Sequence, residues 1–266
     1  VDGLETGGFP SIASAISRVL QEQRGTHGAG ASARYLPGMK CSHRPDMVCV
    51  DPAADPAMMT EAVNAASHAA QVVLVLNLQS RKPCDSDAAT KAAGEFNPCG
   101  YEAEQHDRPS IKLPKLQQEL ADTILNATKA AGVPTAVVLV HGGGLAIEAI
   151  KINADAILDA HYPGEVTGGV AVADALYGRF SPAGKLSYTV MPAAFEQLSN
   201  FASMSMTAPP GRTYKYYPTS AAVPPPLWPF GWGLTYTRFN LTLAHSYPAP
   251  VVLSACGVPS TCDIGE

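Results

Sequence analysis

Apolar positions recur every three to four residues in several stretches of the chain and fill every position in others, so the pattern alternates between helix and buried strand. Residues 10–23 place Ile12, Ala15, Ile16, Val19 and Leu20 on one face and predict a helix. Asp55 to Ala70 opens on an Asp-Pro start and gathers Met58, Ala62, Val63, Ala66 and Ala69, predicting a second. Leu116 to Ala131 is a third, with Leu116, Leu120, Ile124, Leu125 and Ala127 inward and Gly132-Val133-Pro134 as its stop. Shorter helices are expected over Ile147–Ile152 and Gly168–Tyr177, the latter made of small residues that allow close packing. Between them lie Val72–Leu76, Ala136–Val140 and Ala156–Ala160. The first two are apolar throughout, which suits strands covered on both faces of a parallel sheet. Ala33–Leu36 and Leu186–Val190 read as further strands. Strand and helix in alternation predict an α/β fold, a three-layer sandwich with a mostly parallel sheet and helices on both faces. From Met191 onward Pro, Ser and aromatics dominate, and after residue 243 periodicity fades into a tail. The expected division is therefore a domain over 1–242 and a tail or linker over 243–266.

The chain has 266 residues, a formal net charge of −5 and only 15% charged residues. That balance leaves no basic footprint for nucleic acid. No apolar run approaches the roughly 20 residues of a spanning helix, so no membrane insertion is expected. The six cysteines fall in near pairs, Cys41 and Cys49, Cys84 and Cys99, Cys256 and Cys262. Such spacing suits three local disulfides, although six cysteines allow 15 pairings. With glycosylation sequons at Asn126 and Asn240, they favour a secreted, extracellular protein. Val1 opens the chain without a methionine or a signal-peptide core, which suggests processing or a cut from something longer.

Against that sparse charge, Gly100 to Arg108 stands out. Its Glu102, Glu104, His106, Asp107 and Arg108 follow the first apolar strand at the end of a long loop. A carboxyl group placed there can donate and accept a proton in a cleft. His141-Gly142-Gly143-Gly144 follows the second strand, where open α/β sheets bind their ligands. The dinucleotide and phosphate-loop glycine patterns are both missing, as is the G-x-S-x-G elbow, so nucleotide binding and serine hydrolysis are set aside. His106, His141 and His161 all lie in strand-end loops and could converge on a metal. Scattered histidines more often serve structural hydrogen bonds, and neither metal nor cofactor is expected. Carboxylate chemistry remains, of the kind glycoside hydrolysis uses with two carboxyl groups about 5 to 9 Å apart. Trp228, Trp232 and the tyrosines from Tyr214 to Tyr217 are candidate sugar platforms.

Taken in order, the motifs resemble the C-terminal α/β sandwich domain of glycoside hydrolase family 3. They are Glu102-Ala-Glu-Gln-His-Asp-Arg108, Ile111-Lys-Leu-Pro, Gly142-Gly-Gly, Tyr162-Pro-Gly-Glu, Ser181-Pro-Ala-Gly-Lys-Leu, Gly211-Arg-Thr-Tyr and Pro229-Phe-Gly-Trp-Gly-Leu. The form is most similar to the β-xylosidase and β-glucosidase branch. The resemblance implies a retaining exo-β-glycosidase in which Glu104 is the general acid/base, Glu102 its rival, and Asp107 with Arg108 an ion pair fixing the loop. It implies a carbohydrate substrate contacted by Tyr101, His106, His141, Gly143 and Trp228. It also implies a nucleophile on a preceding (β/α)₈ barrel, for which these 266 residues have no matching segment, so the chain alone is expected to be inactive. The alternative is a non-catalytic carbohydrate-binding or extracellular structural module, consistent with Gln105 standing where usual members carry Gly.

Overall fold

The structure is a computed structural model that describes residues 11–27, 32–36, 40–43, 49–53, 55–78, 102, 108, 110–164, 166–200, 202–218, 223–238, 240 and 242. Helix α1 runs Ile12–His27, where Ser11 Oγ accepts the Ser14 N–H (3.1 Å) as its first cap. Strands β1 (Lys40–His43) and β2 (Cys49–Ala53) form an antiparallel pair. Helix α2 (Pro56–Ser67) starts as expected, with the Asp55 carboxylate accepting from the N–H groups of Ala57 and Met58 ahead of a proline-led first turn. Strand β3 is Val72–Asn77, and α3 spans Lys115–Ala131. Helix α3 ends on Gly132 at φ +69°, a left-handed cap that lets the Val133 N–H reach back to the Thr128 carbonyl (2.9 Å). Then follow β4 (Thr135–Val140), α4 (Glu148–Asn153), β5 (Ala156–Asp159), α5 (Gly168–Leu176) and the single turns α6 (Phe195–Leu198) and α7 (Thr213–Tyr216).

Strands β3, β4 and β5 make one parallel sheet in that order, with Leu76 beside Leu139 and Leu139 beside Asp159. Because side chains alternate along a strand, the sheet feeds two cores. Leu74, Leu76, Val137 and Leu139 meet Ala62 and Ala66 of α2, Leu120, Ile124 and Leu125 of α3, and Ile150 of α4. Val73, on the other face, packs with Ala15, Ile16 and Val19 of α1 and Ala173 of α5. This is the α/β layering expected, with helices on both faces of a parallel sheet. Only β4, flanked by strands on both sides, is closed as tightly as its composition suggested. Val75 on β3 remains 39% exposed.

Two predicted strands do not form. Residues 32–36 run irregularly, with Arg34 turned to Glu61, and the following Pro37 offers no N–H to a ladder. Leu186–Val190 pairs with 227–232 only through scattered bonds, including Leu186 N–H to the Trp232 carbonyl and Val190 N–H to the Trp228 carbonyl. Its partner contains Pro229 and follows directly on Pro224, Pro225 and Pro226, and each proline lacks the N–H that a regular ladder requires. The small residues of α5 serve close packing against its own entry loop, α1 and Val73 of the sheet. A Cβ on Gly168 would run into the Pro163 carbonyl.

The chain divides into a compact unit, Val1–Tyr236, and a smaller one, Thr237–Glu266. Cys41 lies on β1 and Cys49 on the antiparallel β2. Cys84, Cys99, Cys256 and Cys262 lie outside the described residues. Among the described residues no helix is long and apolar enough to cross a membrane.

Candidate active site

The carboxyl ends of β3, β4 and β5 converge because their ladder continues past the strands. The Leu78 N–H donates to the Val140 carbonyl (2.8 Å) and the His141 N–H to the His161 carbonyl (3.3 Å). Two side-chain clusters sit on this edge.

The first is built on Glu102, whose side chain is 12% exposed. Its Oε2 accepts from the Gly142 N–H (2.5 Å) and the Tyr162 hydroxyl (2.5 Å), and its Oε1 from the Gly143 N–H (2.8 Å). Arg108 Nε stands 3.4 Å from Oε1, with a guanidinium side chain 10% exposed. Nη2 of the same arginine donates to the Gly144 carbonyl. The glycine turn is thus held by its N–H groups through Glu102 and by its carbonyl through Arg108. Consecutive N–H groups around a carboxylate make a small anion nest, and the anion is the protein's own. The glycine turn admits the side chains of Glu102, Arg108 and Tyr162 close to its backbone.

These partners decide the charge on Glu102. Burial pushes its pKa up, but the Tyr162 hydroxyl, the two glycine N–H groups and the Arg108 charge together hold it below the ordinary value of 4.5. Burial and the adjacent carboxylate in turn push the Tyr162 phenol up, keeping it a donor. Since the folded pKa is depressed, Glu102 contributes stability that is complete above pH 4.5 and is lost as pH falls through its folded value. In urea titrations of the complete protein, Glu102→Gln should lower the midpoint at neutral pH. It should also flatten the loss of stability below about pH 4.5; a slope identical to the parent's would contradict this account. A Cβ on Gly142 would lie 2.6 Å from Tyr162 Cε2 and 3.0 Å from Glu102 Oε2. Gly142→Ala should therefore cost about 1–3 kcal/mol through a displaced Tyr162 ring, measurable as a lower unfolding midpoint.

The second cluster surrounds Asp159, the last residue of β5. His141 is wholly buried. Its Nδ1–H donates to the Gly143 carbonyl (2.5 Å), and its Nε2 faces Asp159 Oδ1 at 3.1 Å. Tyr188 donates to Asp159 Oδ2 (2.8 Å), and His161 Nε2 lies 3.6 Å from Oδ1. The two imidazoles stack with centroids 5.1 Å apart, and Tyr188 meets both edge-on. Burial alone would lower the His141 pKa, but the Asp159 hydrogen bond and charge, with the Gly143 carbonyl, raise it. Asp159 is opposed by burial as well, yet is held low by His141, Tyr188 and His161.

Of the residues singled out from sequence, Glu102, Arg108, His141 and Gly143 come together. His141 has no exposed face to offer a sugar, with both ring nitrogens engaged. Gly143 spends its N–H on Glu102. The ring of Trp228 packs on the sheet core with Lys151 Nζ 4.6 Å above it. Arg108 has Glu102 as its carboxylate among the described residues; Tyr101, Glu104, His106 and Asp107 lie outside them. Sequence reasoning missed Asp159 and Tyr188 as site residues and Tyr162 as a donor. The one available signal was a charged residue ending an otherwise apolar strand, Ile157-Leu158-Asp159.

A parallel sheet with helices on both faces and carboxylates at its strand ends places the chain in the class of α/β sandwich domains. The sequence profile of the glycosyl hydrolase family 3 C-terminal domain matches residues 5–236, and the chain belongs to that family. It is 40% identical over 154 residues to a xylan 1,4-β-xylosidase of Xylanibacter ruminicola, a match that covers 58% of this chain and 16% of that protein. It is 32% identical over 203 residues to a periplasmic β-glucosidase of Salmonella typhimurium, covering 74% and 23%. Among solved structures, a β-glucosidase from Erythrobacter marinus is 30% identical with a TM-score of 0.56, covering 87% of this chain and 28% of that one. A family 3 exo-β-xylosidase is 26% identical with a TM-score of 0.53, covering 72% and 22%. The chain thus spans roughly a fifth of the length of the curated relatives it matches.

Proposed function

We propose that this domain supplies the general acid/base carboxylate, Glu104, to a retaining exo-β-glycosidase of the β-xylosidase type, whose nucleophile stands on a preceding (β/α)₈ barrel. The observation that carries this reading is the anchoring of both ends of the short segment around Glu104. Glu102 and Arg108 clamp the glycine turn at the carboxyl edge of the sheet, and Glu104 stands two residues after Glu102 in the sequence. Of the two glutamates, Glu102 is saturated with donors and stays ionised near neutral pH, which removes it as a proton donor. In the first step the barrel carboxylate attacks the anomeric carbon while Glu104 protonates the departing glycosidic oxygen. In the second, the Glu104 carboxylate takes a proton from the water that releases the sugar.

The exposed Asn126 and Asn240, both in sequons, support a secretory route for the protein. The assignment of the acid/base is tested with azide in the complete enzyme and an activated aryl β-glycoside. Glu104→Ala should yield the β-glycosyl azide, because azide needs no base. If Glu102→Ala gives that product and Glu104→Ala does not, the roles are reversed.

A further inference from the structure

The cluster at the end of β5 carries an inference independent of glycoside chemistry. We propose that His141, Asp159 and His161 form a binding site for a divalent transition-metal ion of the zinc class.

Three ligand atoms, one from each residue, lie within 4.8 Å of one another. Asp159 Oδ1 is 3.1 Å from His141 Nε2 and 3.6 Å from His161 Nε2. Two ligands of one zinc ion, each about 2.0–2.2 Å from it, stand about 3–3.5 Å apart, so shifts of a few tenths of an ångström complete the geometry. The 3.6 Å separation is too long for a hydrogen bond. The partners that orient metal ligands are also built. His141 Nδ1–H is fixed on the Gly143 carbonyl, which leaves Nε2, turned to Asp159, as the nitrogen that ligates once its proton is displaced. Tyr188 holds the other carboxylate oxygen.

The backbone contributes too. His161 has φ +48°, a left-handed conformation that costs a non-glycine residue energy. That turn brings both its N–H (3.3 Å) and its ring back to Asp159, two residues earlier. His161 remains 40% exposed while His141 is closed, so one side is open for a further ligand. Two imidazoles with one carboxylate favour zinc, cobalt or nickel over magnesium and calcium, which prefer all-oxygen shells. A bound ion takes the place of the proton otherwise shared by His141 Nε2 and Asp159, and it ties the loop after β4 to the loop after β5.

The test uses the complete protein stripped with a chelator and titrated with ZnCl₂ by calorimetry and with Co(II) by visible absorption. We expect one site whose Co(II) spectrum shows nitrogen ligation, and a zinc-dependent rise in unfolding midpoint. His161→Ala should weaken zinc binding at least about tenfold, and Tyr188→Phe should weaken it within about 10–100-fold. An excess of MgCl₂ should not compete. Absence of zinc binding, or equal affinity and spectrum in the parent and His161→Ala, overturns the proposal. Neither result bears on Glu104, because the azide experiment reads a different group.

Discussion

Glu104→Ala in the complete enzyme should lose about 10²–10⁴-fold in kcat/KM on an unactivated disaccharide, and far less on an aryl glycoside with a good leaving group. The asymmetry follows from the two roles assigned to one carboxyl group. An alkoxide leaving group needs a proton in the transition state, whereas a dinitrophenolate departs without one. With the activated substrate the first step survives, the second becomes limiting for want of a base, and kcat falls more than kcat/KM. Glu102→Gln should behave differently. Its carboxylate meets Gly142, Gly143, Tyr162 and Arg108 rather than a reacting atom, so its loss should scale alike for both substrates and follow the loss of stability. Equal sensitivity of Glu104→Ala to both leaving groups would remove it from the acid role.

The parts of the fold that could be read in advance are those in which local chemistry and burial agree. The apolar runs Val72–Leu76 and Ala136–Val140 became adjacent parallel strands, the Asp55-Pro56 start became a capped helix, and Gly132 became a left-handed stop. The pairing of β1 with β2 was not legible, since strands of four and five residues that contain Ser42, His43, Asp51 and Pro52 carry no apolar alternation. Leu186–Val190 misled in the opposite sense, because its alternation is real but its partner carries Pro229 and follows directly on Pro224, Pro225 and Pro226. The site shows the same division. Charge density drew attention to Glu102 and Arg108, yet what each does depends on Gly142–Gly144, 36 or more residues away. The His141–Asp159 contact joins the ends of two strands, and no spacing along the chain encodes it.

Arg108→Met should be the most destabilising single change in the Glu102 cluster. Methionine keeps much of the apolar stem and removes the only cation paired with Glu102 among the described residues, leaving a carboxylate of 12% exposure without its counter-charge. Breaking such a pair from one side costs about 3–5 kcal/mol. The lower end applies here, because Gly142, Gly143 and Tyr162 still donate to the carboxylate. The Gly144 carbonyl also loses its donor, which adds about 1 kcal/mol. Arg108→Lys should recover only part of this, since an ammonium cannot reproduce a fork that spans Glu102 and Gly144. Urea midpoints in the complete protein measure both effects. The decisive comparison is the double variant Glu102→Gln/Arg108→Met. If the cost is an unpaired buried charge, neutralising Glu102 should make the double variant more stable than the sum of the single losses by at least about 1 kcal/mol. Additive losses would mean that the two side chains are merely neighbours.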